Sequence, residues 1–136
     1  MENKFKLTVR TPVDTIFNGE ADKIHLNTEG GEIEVYGNHS SLTAAVSFSP
    51  IQIKSGDTEE EYLGRNGIFK FFNETNSAIL LLNYCEAVNE VEHKTIKEYL
   101  EFIEKKLSEG ESLSDFEILY LKGEKLAVEE NIKHLN

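Results

Sequence analysis

Residues 30–45 read GGEIEVYGNHSSLTAA and decide the fold of this chain, because they combine two turns with two strands. Between the turns, Ile33 and Val35 alternate with acidic and aromatic residues, so the two apolar side chains share one face of a strand. A polar turn that carries His39 follows, and a second apolar strand comes after it. The pattern predicts a strand buried on one face only, with the loop around His39 projecting at the edge of a sheet.

Short alternating segments extend from Phe5 to about Cys85, and each is bounded by turn residues at the spacing typical of β-sandwiches and barrels. Asn66-Gly67 is the strongest hairpin signal, because both residues tolerate the positive φ that a two-residue turn requires. The apolar strand faces predicted in this way are Phe5, Leu7 and Val9, Ile24 and Leu26, Ile33 and Val35, and Ile51 and Ile53. The other predicted turns are Thr11-Pro12, Asn18-Gly19, Glu29 to Gly31, Gly37-Asn38, Ser49-Pro50, Ser55 to Asp57 and Asn73 to Ser77.

After Glu86 the alternation stops and apolar residues recur at helical spacing. Thr95 and Glu98 form a capping box that starts a helix, and Gly110 is a stop signal for it. A second box at Ser114 predicts another helix toward the end of the sequence. The apolar positions of the first helix are Ile96, Leu100, Ile103 and Leu107.

These patterns define the expected fold class as α+β. An N-terminal antiparallel β-sandwich domain is expected over residues 1–87, and a C-terminal two-helix antiparallel hairpin domain over residues 88–136. The length of 136 residues suffices for one domain with a core, or for a small domain with an appendage.

The charge of the chain excludes one class of partner. Fourteen Lys and Arg against twenty-five Asp and Glu give a net charge of −11, which repels phosphate backbones and anionic lipid. We therefore expect protein partners and no nucleic acid. Direct membrane insertion is not expected either, since the longest apolar run, Ala78 to Leu82, is far shorter than the roughly 20 residues that a spanning helix needs.

Cysteine usage and the first residues favour the cytosol. Cys85 is the only cysteine, so an internal disulfide is impossible and a reducing compartment fits. The segment from Met1 to Phe5 has neither the apolar core of a signal peptide nor the arginine content of a transit peptide.

Few side chains offer catalytic chemistry. The sequence lacks the nucleophile-elbow, zincin, Cys-x-x-Cys and Walker motifs. A pair of Cys85 with His39 would suit a small Cys/His hydrolase, but a lone cysteine usually behaves as a small apolar residue. The acidic run from Asp57 to Glu61 is typical of a solvated edge that blocks strand addition. No catalytic or metal site is predicted.

The segments Gly31-Glu32-Ile33-Glu34-Val35 and Asn38 to Ala44 resemble a Gly-Glu-(Ile/Leu)-x-(Ile/Val) strand and a Gly-His-x-x-Leu loop. These belong to the N-terminal domain of the epsilon subunit of F-type ATP synthases. The order and spacing of such motifs over roughly the first 85 residues carry the resemblance, which implies a β-sandwich followed by a helical hairpin. The flanking motifs are Phe5-x-Leu7-x-Val9-x-Thr11-Pro12, Phe17-Asn18-Gly19-Glu20 and Asn66-Gly67-Ile68.

The resemblance implies a non-catalytic rotor component of the central stalk, which binds the gamma subunit and rests on the ring of c subunits. It implies a place at the cytoplasmic face of a bacterial membrane, as a peripheral part of the complex, with a plastid source left open. Gamma would be contacted by the apolar outer face of the sandwich and by the hairpin. The residues that match ring-facing positions of the family are Glu32, Asn38, His39, Ser40 and Leu42.

The chain departs from the family pattern in the loop after β-strand residues 31–35 and in the C-terminal hairpin, which lacks the Ala and Arg richness common in the family. The usual Pro-Gly-His is Gly37-Asn38-His39 here, and the Asp-x-x-Arg-Ala motif of relatives that bind ATP is absent between Thr95 and Lys106, so no cofactor is expected. From Lys94 onward there are seven Lys, no Arg and ten Asp or Glu. The resemblance also implies regulation of ATP hydrolysis by the hairpin, through contacts with the catalytic alpha and beta subunits. The acidic balance of the hairpin weakens the form of this regulation in which basic side chains meet acidic groups on those subunits. The alternative function is a free-standing β-sandwich adaptor that binds another protein through the same edge.

Overall fold

A computed structural model of the chain describes residues 4–88 and 93–110. The chain divides into two compact units, Met1–Asn89 and Glu90–Asn136, and each is treated by itself. In chain order the elements are β1 (Phe5–Arg10), β2 (Thr15–Ala21), β3 (Lys23–Thr28), β4 (Gly31–Tyr36), β5 (Leu42–Ser55), β6 (Thr58–Phe72), β7 (Ser77–Ala87) and α1 (His93–Ser108), with a 3₁₀ turn at Asn73–Thr75 between β6 and β7.

The strands of the first unit form a sheet with the order β2-β1-β7-β6-β5-β3-β4. All neighbours are antiparallel except β1 and β7, which are parallel. The long strands β5 and β6 pair with each other along their length, and β3 pairs only with the second half of β5. Each of the two long strands therefore contributes one half to each of two layers. The first layer therefore holds β2, β1 and the adjoining halves of β7, β6 and β5, and the second holds β3, β4 and the remaining halves. The predicted α+β class with a β-sandwich is confirmed.

The core lies between the layers and uses the side chains that the alternation selected. Val35 on β4 is fully buried and Ile33 is half-buried against the core. The residues of the other predicted strand faces are each at most 1% exposed. They are Phe5, Leu7, Val9, Ile24, Leu26, Ile51 and Ile53.

The predicted hairpin at Asn66-Gly67 is wrong, because both residues lie inside β6. The hairpin that precedes β6 instead turns at Gly56, which has φ +63°. Asn66 has φ +56° and is skipped by the ladders to both neighbouring strands, so the positive φ bends the strand without reversing it. The predicted turns Asn18-Gly19 and Ser49-Pro50 likewise lie within β2 and β5.

Gly67 is required at this bend by close packing. A Cβ at Gly67 would lie 1.9 Å from the carbonyl oxygen of Leu81 and 2.7 Å from Leu82 Cδ2. A Cβ at Gly64 would lie 2.7 Å from Ile51 Cδ1 and Leu82 Cδ1. Glycine here allows the bent strand and β7 to approach each other.

The second unit contains α1, and Gly110 ends it as predicted. The residue has φ +82°, and its N–H donates to the carbonyl of Leu107 at 3.1 Å. The helix begins at His93, so Thr95 lies inside the first turn rather than at the cap. Tyr99 is fully buried whereas Leu107 is 53% exposed, so the buried face is rotated relative to the predicted one.

Some predictions fall outside the described residues. These are the second helix from Ser114 and the chain around the predicted domain boundary after residue 87, where residues 89–92 are not described. Within residues 4–88 and 93–110, no helix has both the length and the apolar character needed to cross a membrane.

Replacing Gly67 with Ala is expected to lower the free energy of unfolding by about 1–3 kcal/mol, because the new methyl group meets backbone that cannot rotate away. Urea unfolding of the full chain, followed by circular dichroism, measures the change. Gly19→Ala is the matched control, since its Cβ would lie no closer than 3.9 Å to Phe17. Equal midpoints for the two variants would contradict the packing argument.

Candidate functional site

The strand β4 forms one edge of the sheet, since β3 is its neighbour and the strand order ends there. Its outward side chains, Glu32, Glu34 and Tyr36, are exposed, as the one-sided alternation predicted. The loop 37–41 continues from β4 to β5. We call β4 together with this loop the β4 margin, and it contains four of the five predicted interface residues, with Leu42 next to it.

Glu32 contacts a neighbouring strand rather than standing alone in solvent. Its Oε1 is hydrogen-bonded to His25 Nε2 on β3. The side chains of Glu32 and His25 are 31% and 17% exposed. The carboxylate is thus oriented by the imidazole while one side of it stays open to a partner.

Glu34 is the centre of a second polar group on this face. It accepts hydrogen bonds from Lys23 Nζ at 2.9 Å and from the hydroxyl of Tyr36 at 3.0 Å. The bond from Lys23, followed by that from Tyr36, holds the pKa of Glu34 below its usual value. The same carboxylate raises the pKa values of Lys23 and Tyr36. The outer face of β4 therefore carries an ordered set of charges.

His39 lies in the loop as predicted and is half-buried. Its ring meets Phe71 in an edge-to-face arrangement, with ring centroids 5.8 Å apart and an interplanar angle of 66°. Its Nδ1 donates to the carbonyl of Ser40 at 2.7 Å. Leu42, which pairs with Phe71 across the β5–β6 ladder, is half-buried, whereas Asn38 and Ser40 are exposed. The histidine ring therefore anchors the loop to the sandwich.

Two asparagines that the sequence analysis treated only as turn residues hold this loop. Asn73 Nδ2 donates to the carbonyls of Asn38 at 3.2 Å and His39 at 2.9 Å. Asn76 Oδ1 accepts from the backbone N–H of Asn38 at 2.6 Å. The only signal in the sequence is the pair of asparagines in the turn after β6, and their partners lie more than thirty residues away.

Glu32 lies near the start of β4, and His39 lies in the loop that follows the end of this strand. Glu32 and Tyr36 are four residue steps apart on the extended strand, which corresponds to about 13 Å. The turn before β4 is tied to Ala45, whose carbonyl accepts from Glu29 N at 2.8 Å, whereas His39 packs at the start of β5. The two residues mark the two ends of the β4 margin.

The structure gives no support to a Cys/His hydrolase. Cys85 is buried on β7 opposite Gly64, while the ring of His39 packs on Phe71. Burial, with a smaller effect of the Glu86 charge, raises the pKa of Cys85 to about 12, so the thiolate is not formed near neutral pH. Within the part of the chain that the structure describes, no three metal-ligating side chains come together. The acidic run at 57–61 lies at the start of β6, which pairs there with β5 on one side, whereas the ladder to β7 begins only at Tyr62. Within the described residues this segment therefore has one open edge, as the pattern predicted.

A β-sandwich with an ordered polar margin defines a protein-binding module, and comparison with known proteins gives its family. A family model described as "ATP synthase, Delta/Epsilon chain, beta-sandwich domain" matches residues 4–80. The ATP synthase epsilon chain of Clostridium novyi (strain NT) is 31% identical over 114 residues, which cover 83% of this chain and 86% of that protein. The epsilon chain of Persephonella marina is 30% identical over 115 residues, covering 84% and 83%.

A solved structure of similar fold is a chain of the Euglena gracilis mitochondrial ATP synthase, in an assembly described as OSCP/F1/c-ring. It matches with a TM-score of 0.63 and 18% identity, over 76% of this chain and 66% of that chain. The chain therefore belongs to the delta/epsilon chain family of ATP synthases. This membership confirms the predictions of an epsilon-type subunit of an F-type ATP synthase and of a chain that is not itself an enzyme.

Replacing Lys23 with Met is expected to raise the pKa of Glu34 toward its usual value, because the hydrogen bond from Lys23 is the largest cause of the depression. A carboxyl whose folded pKa is lowered stabilises the fold above its unfolded pKa, and this contribution disappears as pH falls through the folded pKa. Lys23→Met should therefore reduce the loss of stability on acidification.

An NMR titration of the Glu34 side-chain carboxyl measures this shift directly. Lys54→Met is the control, since Lys54 is the cross-strand neighbour of Lys23 on β5 and has no part in the Glu34 hydrogen bonds. A Glu34 pKa that stays low in Lys23→Met would refute the assignment.

Proposed function

We propose that this chain works as a rotor component of the central stalk of an F-type ATP synthase, linking the gamma subunit to the c-ring at the cytoplasmic face of a bacterial membrane. The observation that carries this proposal is the family match over residues 4–80, which contain the whole β4 margin. The chain transmits torque and positions its neighbours, and the chemistry takes place on other subunits.

The β4 margin is the surface that we assign to the c-ring. Glu32, Asn38 and Ser40 are exposed along it, and His39 and Leu42 are half-buried beside them. A contact with the ring has to be specific but lies outside the hydrocarbon, so polar and charged groups suit it better than an apolar patch. The ordered carboxylates of β4 and the fixed backbone of the loop provide such a surface.

The outer face of the first layer is the surface that we assign to gamma. The sheet register aligns Ala45, Ile68 and Leu81 in a row across β5, β6 and β7, with Ile79 in the next row. Leu81 is 43% exposed and lies with Ile68 and Ile79 in an open groove of about 610 Å³. We call these four residues the outer apolar face.

Cations surround this face in a chain whose net charge is −11. Arg10 is paired with Leu81 in the parallel β1–β7 ladder and lines the groove. Lys70 and Lys6 are exposed. Their side chains lie on the outer side of the first layer, like the outer apolar face, because the residues that alternate with them along β6 and β1 are buried. An apolar centre with a basic rim suits a protein partner with acidic groups around an apolar contact.

Cysteines introduced on the β4 margin test the contact with the c-ring. Glu32→Cys and Ser40→Cys, assembled into the complete ATP synthase, should each cross-link to a cysteine in the polar loop of a c subunit. The native Cys85 does not interfere because it is buried and its pKa is high. Asn18→Cys is the control, since Asn18 is exposed on β2, at the other end of the strand order. Cross-linking from Asn18→Cys alone would refute the assignment of the margin.

Leu81→Asp tests the contact with gamma. A carboxylate in the centre of the outer apolar face should weaken binding of the full chain to gamma by more than about tenfold, since central apolar contacts dominate interface energies. Val13→Asp is the matched control, because Val13 is 85% exposed on the β1–β2 turn and does not line the groove. Circular dichroism verifies that both variants are folded. Undiminished binding by Leu81→Asp would exclude this face as the gamma surface.

The second candidate function is a free-standing adaptor that binds some other protein through the same margin. Purification of the intact ATP synthase from the native organism distinguishes the two, because the adaptor would not copurify with gamma and the c-ring. Regulation of ATP hydrolysis by the C-terminal hairpin, and contact of the hairpin with alpha and beta, stay predictions, since residues 111–136 lie outside the described part.

A further inference from the structure

The turn between β6 and β7 has a fixed geometry of its own. It contains the 3₁₀ turn Asn73–Thr75 and closes at Asn76, whose φ is +47° and whose N–H donates to the carbonyl of Asn73 at 3.2 Å. Asparagine is one of the few residues with a side chain that tolerate this left-handed conformation. We call residues 73–76 the asparagine turn.

Three polar groups of the asparagine turn bond a neighbouring loop. Besides the bonds from Asn73 Nδ2 to two loop carbonyls, the backbone N–H of Asn73 donates to Ser41 Oγ at 2.9 Å. Asn76 Oδ1 accepts from Asn38 N. Four groups between Asn38 and Ser41 are therefore held from one side, and Asn38 itself has φ +64°.

Hydrogen bonds also fix the asparagine turn to the start of β1. Asn76 Nδ2 donates to the carbonyl of Lys4 at 2.8 Å, and the carbonyl of Asn76 accepts from Lys6 N at 3.2 Å. Movement of the loop away from the sandwich thus requires rupture of hydrogen bonds that are anchored in the central ladders. The loop is prepared in one conformation before any partner arrives.

We propose that Asn73 is a positioning residue for the c-ring contact, which holds the loop of Asn38, His39 and Ser40 in the conformation that the ring binds. This inference rests on the proposed function of the β4 margin. Holding the loop before binding removes the conformational entropy that its ordering would otherwise cost in the complex.

Asn73 holds the loop through its amide nitrogen, whereas Asn76 holds it through its amide oxygen. This difference allows a matched experiment. Asn73→Asp is isosteric but replaces the donor by a carboxylate oxygen that faces the carbonyls of Asn38 and His39, so the loop is repelled. Asn76→Asp adds the same charge in the same turn and keeps an acceptor for Asn38 N, so its repulsion falls on the carbonyl of Lys4 and not on the loop.

The measurement is binding of each full-length variant to ATP synthase from which the native chain has been removed, with ATP-driven ion pumping as the readout of ring engagement. Asn73→Asp is expected to bind about tenfold more weakly, as the loss of two hydrogen bonds to backbone carbonyls of the loop implies. Asn76→Asp should bind within about threefold of the original chain. Hydrogen exchange at the amides of residues 38–41 should be faster in Asn73→Asp alone.

If the asparagines had a purely structural role, ring binding of both variants would fall in proportion to the decrease in their melting temperatures. That result would overturn the proposal. Equal and undiminished ring binding by both variants would overturn it as well. Failure of the original chain to restore pumping would instead refute the proposed function itself, because no variant is involved in that result. Retained binding of Asn73→Asp to isolated gamma, together with lost pumping, supports the positioning role.

Discussion

The backbone of β7 passes so close to Gly67 that a single methyl group there would collide with the carbonyl oxygen of Leu81. At this point β6 leaves one layer of the sandwich and enters the other, and Asn66 supplies the positive φ of the bend. Because β5 follows the same path, the second layer can add β3 and β4 to it. The position of the β4 margin thus depends on how closely two backbones can pack, more than on any residue of the margin itself.

The β4 margin combines two kinds of interaction with different strengths. The Lys23–Glu34 ion pair and the His25–Glu32 hydrogen bond are partly exposed, and an exposed ion pair contributes only about 0–1 kcal/mol to stability. The loop is held by hydrogen bonds between asparagine amides and backbone groups, which keep one conformation. The side chains on the outer face of β4 therefore determine the charge that a partner meets, while the amides determine the shape of the loop.

Local patterns predicted the strands well because burial on one face imposes a period of two residues. Phe5, Leu7 and Val9 could be assigned to the core on this basis alone. Asn66-Gly67 was misassigned because the same φ preference suits a hairpin turn and a bend within a long strand, and only the neighbouring strands decide between them. Residues of the β4 margin followed from local pattern and family resemblance.

The partners of the margin could not be predicted in that way. His25 faces Glu32 across a hairpin, and Asn73 and Asn76 reach the loop across more than thirty residues of chain. Such contacts depend on tertiary packing, which a period in the sequence does not encode. The same limit applies to α1, where Tyr99 is buried and Leu107, which the helical spacing predicted to be buried, is exposed.

The parallel pairing of β1 with β7 has a consequence for how the protein is made. Lys6 pairs with Ser77, so β1 has no partner on this side until β7, about seventy residues later in the chain, has been synthesised. Contacts between such distant segments slow folding, because the intervening chain has to be ordered before they are gained. Synthesis at about 5–20 residues per second leaves the exposed edge of β1 unpaired for several seconds. During that interval the unpaired edge of β1 is open to pairing with another chain.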